Sequence, residues 1–274
     1  MNVCLLQTDV TFESKQLLFM DLNEKISEAK KPLDLIILPE LFSASINLIN
    51  LDETAEDLMG DTVHFLVDLA KSENSMVIGG IFEKDNYSYY NSAIIINRKG
   101  NILGKYRKIC LNEFEMHFMK PGRKIDIFET EFGKFGVLIG NDLNSLALCE
   151  KLAASETDFI ICLTQIPYEY DFILEQIALS RVMDIPCFLF MICVTGTSSV
   201  SRINFSGQTS ILRYVECGED LIKSSRDDYI LAGLPKDDAG LLVYYIDLDE
   251  YQKEKEFWSG QIPHKKIHKM LCNN

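Results

Sequence analysis

The chain is 274 residues long, 47% hydrophobic and 25% charged, and its 7 prolines and 15 glycines are too few for a disordered or fibrous protein. Its 27 basic and 41 acidic side chains leave a formal charge of −14, which argues against nucleic acid and anionic membranes as partners. No apolar run reaches the ~18 residues of a membrane span. The longest, Ile185–Val194, suits a buried strand.

Strand-like and helix-like segments alternate from the start. Asn2–Thr8 reads as an apolar strand, followed by Phe12–Ala29 with Leu18, Leu22, Ile26 and Ala29 at helical spacing. The start lacks the basic and long apolar regions of an export signal. Asp34–Pro39 reads as a strand covered on both faces, and Ala55–Glu73 as an amphipathic helix. Ser75–Glu83 and Tyr87–Asn97 are strands, and Arg98–Asn101 turns the chain into a further strand, Ile102–Arg107. Lys108–Gly122 sustains no period and reads as a functional loop. Phe135–Ile139, Phe159–Thr164, Pro186–Val194, Gly207–Arg213 and Leu241–Asp247 read as strands, and Ser145–Ala154 and Phe172–Val182 as helices. Glu250–Lys255 begins a C-terminal tail. With no linker or repeat, the pattern predicts one α/β domain over residues 1–274, its core within about 1–250 and a tail over 251–274.

The chemistry is narrowed by what is missing. No Gly-x-Gly-x-x-Gly, P-loop, Gly-x-Ser-x-Gly or Cys-x-x-Cys pattern occurs, and the pair Gly79-Gly80 reads as close packing. Of 8 cysteines, Cys4, Cys149, Cys162, Cys187 and Cys193 lie in apolar surroundings, as core thiols of a reducing compartment do. A cytoplasmic protein is expected. His264, His268 and Cys272 are spaced a helical turn apart and could clip a metal, but Lys265, Lys266 and Lys269 favour a solvated basic tail. No metal or cofactor is expected. The informative residues are Glu40 and Lys108, each placed directly after an apolar strand, where catalytic groups are held rigidly.

Those residues belong to an ordered series. It runs Leu38-Pro39-Glu40-Leu41-Phe42, Tyr90-Asn91-Ser92-Ala93, Gly100 to Lys108, and Glu115 before Pro121-Gly122. It continues with Gly136-Val137-Leu138-Ile139 leading to Asp142, Ser180-Arg181, Gly196, and Gly207-Gln208-Thr209-Ser210-Ile211. The series resembles the nitrilase-like carbon–nitrogen hydrolase superfamily, in its amidase/nitrilase branch. That resemblance implies a four-layer αββα sandwich that dimerises, and a small amide-, nitrile- or carbamoyl-type ligand. It implies Glu40 as general base, Lys108 as the cation for a tetrahedral oxyanion, and Glu115 as a second carboxylate that positions Lys108. Asp142, Tyr168 and Cys193 are expected to contact the ligand.

One position departs from the pattern. The family's nucleophilic cysteine belongs where this chain has Gly140, in the string Gly140-Asn141-Asp142. Asn144 and Cys193 also differ from the residues usual there. The resemblance therefore implies a protein without the covalent step, inactive or binding ligand only. Other readings stay open: a working amidase or nitrilase inactivated by a Cys-to-Gly change, a non-catalytic dimeric binding or regulatory subunit, a thiol such as Cys193 acting instead, or slow direct attack by water activated by Glu40.

Overall fold

The computed structural model describes residues 1–12, 14–44, 50–198, 201–215 and 225–261. Strand β1 (Asn2–Asp9) is buried from Val3 to Thr8 because it has partners on either side. Helix α1 (Lys15–Ser27) starts where the Ser14 hydroxyl accepts from Leu17 N–H, and it buries Leu18, Leu22 and Ile26. Strand β2 (Leu35–Ile37) follows. The helical period predicted from Ala55 begins only at α2 (Asp61–Ser72). The reason is that Glu56 bridges to Glu83 in the next strand, while its carboxylate accepts from Thr62 N–H and caps α2. Strands β3 (Met76–Asp85), β4 (Ser88–Ile96) and β5 (Ile102–Arg107) form an antiparallel meander.

The second half repeats the design. Strand β6 (Ile127–Thr130), which the sequence pattern does not reveal, turns tightly into β7 (Gly133–Ile139). Helix α3 (Leu146–Ala154), strand β8 (Phe159–Thr164), helix α4 (Asp171–Asp184) and strand β9 (Phe188–Thr197) come next. Short β10 (Asn204–Phe205) and β11 (Ser210–Arg213) pair with β9. Helix α5 (Arg226–Tyr229), β12 (Ile230–Gly233) and β13 (Gly240–Tyr245) lead to α6 (Leu248–Gln261). The beginning of the expected tail is therefore helical. It is fastened by Tyr251, Gln252 and Lys255, all of which donate to Asp158. His264, His268 and Cys272 lie outside the described residues.

The strands run in the order β5-β4-β3-β2-β1-β9-β8-β7-β6, with β13 on β1 and β11 on β9. β1 meets β9 only through Thr8–Val194 and Asp9–Thr195, so the sheet folds there into two halves. β4 and β5 pack face to face on β7. One core, with Leu5, Ile37, Ile95, Tyr106, Val137 and Ile161, lies between the halves and extends to α3 and α4. A second, with Leu6, Leu22, Ile36 and Leu66, lies beneath α1 and α2. The layers are thus αββα, as the sequence resemblance implies. Among the described residues no helix is long and apolar enough to cross a membrane.

The C-terminal end of β3 carries a buried ion cluster. Glu83, 1% exposed, accepts from Ser92, Lys105 and Arg107, and the Arg107 guanidinium lies 3.6 Å over the Tyr90 ring. Burial works against the charged form of Glu83, but the hydrogen bonds from Arg107, Lys105 and Ser92 prevail and hold its carboxyl below the usual range. Such a group stabilises the fold above the unfolded value and loses its effect as pH falls through the folded one. Glu83→Gln is expected to cost about 2 kcal/mol near neutral pH. Urea unfolding should show that deficit shrinking as pH falls below the ordinary carboxylate value of 4.5. A deficit constant from pH 7 to 3 would contradict the assignment.

Candidate active site

The site lies at the C-terminal ends of the parallel strands, between the sheet halves. After β2 the chain turns sharply at Glu40, and Leu41 takes φ +49°. This turn fits only because residue 80 has no side chain: a Cβ there would meet Pro39 O at 2.6 Å and Glu40 Cα at 2.8 Å. Lys108 leaves β5 with its N–H donating to Asn91 O (2.9 Å) and its carbonyl accepting from Gly122 N–H (2.7 Å). Glu115 opens the 3-10 turn Glu115–His117. It is locked by a reciprocal pair with Asn112: Glu115 N–H donates to Asn112 Oδ1 (2.8 Å), and Asn112 N–H to Glu115 Oε2 (2.9 Å).

These three side chains meet although Glu40 is far from the other two in sequence. Lys108 Nζ donates to Glu40 Oε1 at 2.9 Å and to Glu115 Oε1 at 2.7 Å. Glu40, Lys108 and Glu115 are 3%, 4% and 6% exposed, so the ion pairs are screened little by water. Asn91 Nδ2 donates to the same two oxygens, at 2.6 and 3.2 Å. Glu40 Oε2 accepts from Gln165 N–H at 2.7 Å, and Gln165 Nε2 donates to the Glu40 carbonyl. Burial raises the Glu40 carboxyl above the ordinary range despite the opposing pull of Lys108, and the nearby Glu115 raises it further. Burial disfavours the Lys108 ammonium, but the two carboxylates outweigh it and hold its pKa above the lysine value. The cluster thus pairs a persistent cation with a carboxyl suited to taking up and giving back a proton.

Gly140 follows β7 and opens the 3-10 turn Gly140–Asn144 with φ +47°. A Cβ built there would stand 3.1 Å from both Glu40 Oε2 and Lys108 Nζ. Asp142 anchors this turn. Its Oδ2 accepts from Ile139 N–H (3.0 Å) and Tyr106 OH (2.9 Å), and its Oδ1 from Ile109 N–H (3.1 Å) and Cys110 N–H (2.6 Å). Arg181 Nε donates to Leu143 O from α4. Residue 140 is therefore held against Lys108 from both halves of the sandwich.

Not every expected ligand contact is so placed. Asp142 is fully buried and its four acceptor contacts are all internal, so it braces the turn rather than facing a ligand. Cys193 is fully buried in β9, and burial pushes its thiol up to about 12, so it is protonated at neutral pH. A thiol so placed is a poor substitute nucleophile. Tyr168 is half exposed in the 3-10 turn Tyr168–Tyr170, three residues beyond Gln165. Asn141 and Asn144 are exposed and hydrogen-bond to each other at 2.9 Å. Of the departures from the family pattern, Gly140 adjoins Glu40 and Lys108 and Cys193 lies within electrostatic reach of Glu40, whereas Asn144 is at the surface. A cleft of ≈ 460 Å³ opens at the opposite end of the sheets, by Gly133, Asp158, Pro186 and Lys255, away from Glu40 and Lys108. Among the described residues no His, Cys, Asp and Glu group is arranged to hold a metal ion. Asn91, Asn112 and Gln165 were not expected at the site, although Asn91 stands in the quoted motif Tyr90–Ala93.

The carbon–nitrogen hydrolase family model matches residues 2–223, most of the chain. The chain belongs to the carbon–nitrogen hydrolase family. Among curated family members, a nitrilase of Pyrococcus abyssi is 33% identical over 51% of this chain and 52% of its own length. The match thus spans about half of that relative. A probable nitrilase of Schizosaccharomyces pombe is 26% identical over 82% of this chain and 80% of its own. Among solved structures, a carbon–nitrogen hydrolase superfamily protein from Xanthomonas campestris superposes with a TM-score of 0.82 at 15% identity, over 94% of each chain. The shared fold is that of the nitrilase superfamily.

Proposed function

We propose that this carbon–nitrogen hydrolase family chain binds a small amide-, nitrile- or carbamoyl-type molecule at Glu40, Lys108 and Glu115 without the family's covalent step. The observation that carries the reading is the position of Gly140, whose Cβ direction leads to Glu40 Oε2 and Lys108 Nζ at 3.1 Å each. With a thiol at that point, Glu40 would take its proton while sulfur bonded to the substrate carbon. Lys108 would donate to the developing oxyanion. As the tetrahedral adduct collapsed, the amine would receive the proton from Glu40 and leave as ammonia. Water, deprotonated by Glu40, would then release the acid from the thioester. Glycine supplies no sulfur, so the first bond of that sequence does not form at residue 140. The groups that recognise a carbonyl and its amide nitrogen remain.

Isothermal titration of the native chain with a panel of small primary amides, nitriles and ureas tests this. Saturable binding of at least one member with no change in its chemistry is expected. Absence of binding across the panel at millimolar concentration would sink the reading.

We also propose a two-fold dimer through α3 and α4. Leu146, Phe172 and Ile173 stand more than half exposed on these helices, an apolar surface suited to a second copy. Light scattering at micromolar concentration should give twice the chain mass, and a monomer would count against it.

A further inference from the structure

Four contacts in the cluster form a closed ring: two donors, Lys108 Nζ and Asn91 Nδ2, each bridge Glu40 Oε1 and Glu115 Oε1. Each of these oxygens therefore receives two hydrogen bonds and has no room left for a proton of its own. Glu115 Oε2 is occupied by Asn112 N–H. Glu40 Oε2 accepts one bond, from Gln165 N–H, and its remaining side is turned toward residue 140.

Asn91 makes this arrangement at a cost. It is 1% exposed, and its Oδ1 finds no partner among the described residues. A buried amide normally satisfies both ends. Reversing the amide would place oxygen against two carboxylate oxygens, so the two glutamates dictate its orientation. A residue serving packing alone gains nothing from an unpaired buried acceptor.

We propose that Asn91 is a positioning residue: by donating to Oε1 of both glutamates, it directs the acid–base proton of the site to Glu40 Oε2, the oxygen that faces residue 140. The proposal rests on reading Glu40 as the acid–base group, but it needs neither a bound ligand nor turnover. Lys108 and Glu115 face Glu40 directly. Asp142 stands behind Gly140, and Cys162 and Cys193 lie nearby on β8 and β9.

The test is a ¹³C NMR titration of the glutamate carboxyl carbons in the Gly140 chain, with Glu40 assigned by its loss in Glu40→Gln. In Asn91→Leu the Glu40 midpoint is expected to rise by about one pH unit or more, because a donor to the charged form is lost. Asn91→Asp, which is nearly the same size, should raise it further by adding a third carboxylate. Asn91→Gln, which keeps the donor, should bring it back toward the native value. In the unmodified chain, the Asn91 side-chain NH₂ resonances should titrate with the Glu40 midpoint, a readout that requires no variant to fold. A Glu40 midpoint unchanged in folded Asn91→Leu or Asn91→Asp would overturn the proposal, as would native Asn91 resonances indifferent to pH. Failure of ligand binding would instead count against the proposed function and leave this titration standing.

Discussion

Replacing Lys108 by methionine is expected to cost about 3–5 kcal/mol of stability at pH 8, the range found when one partner of a buried ion pair is removed. Lys108 is the shared partner of two carboxylates that are themselves almost fully buried. Without it Glu40 and Glu115 face each other with only amide donors between them, and each disfavours ionisation of the other. The folded pKa of Glu40, already above the ordinary carboxylate level, should rise further. Between the unfolded value, about 4.5, and that raised value, the folded variant binds more protons than the unfolded chain. Stability of the variant must then fall as pH rises through that window, and recover on acidification. Urea unfolding of native and Lys108→Met chains at pH 5.5 and pH 8 reads the difference directly. The deficit should be smaller at pH 5.5. Equal deficits at both pH values would show that the cluster is not coupled as described.

The second large effect is expected at residue 140. Gly140→Cys forces a β-carbon into a left-handed backbone and 3.1 Å from two charged atoms. The backbone alone should cost about 1–3 kcal/mol, and the neighbours must shift by a few tenths of an ångström. In return, the thiol stands beside the Lys108 ammonium, which favours a thiolate, and beside a carboxyl able to take its proton. Iodoacetamide should therefore modify the introduced sulfur faster than the half-exposed Cys110 of the same chain. Ammonia release from a small amide should become detectable yet remain below ~1–10 s⁻¹, the ordinary range for enzymes. Asn141 and Asn144 pair with each other at the surface, and Cys193 is sealed in β9, so none of the three directly obstructs the restored nucleophile. An introduced thiol with no enhanced reactivity would mean that Glu40 and Lys108 do not act on residue 140.

Much of this was legible in the chain itself, for physical reasons that differ by element. The strands Ile102–Arg107 and Phe159–Thr164 appear with the bounds their sequence suggests. One is set off by a glycine-containing turn, and the other is a continuous apolar run. β6 and β12 are short, half-buried edges whose four residues carry too little alternation to announce a strand. Glu40 was visible because a charge directly after an apolar run stands out, and Lys108 because it closes the motif Gly100 to Lys108. Asp142 was placed near the site but not understood, since adjacency in sequence does not say which way a carboxylate points. Here it turns inward to four donors. Gln165 contributes a backbone N–H, which has no signature in any sequence.

The absence of a covalent step is tested on the native chain with its glycine in place. This chain should be incubated with a panel of small amides and nitriles, with ammonia assayed and intact mass recorded by mass spectrometry. Bound ligand is expected without an acyl adduct on any cysteine, and with no ammonia above the uncatalysed background. Ammonia release at ordinary enzymatic rates, or an acyl group on any of the chain's own cysteines, would contradict the proposed function.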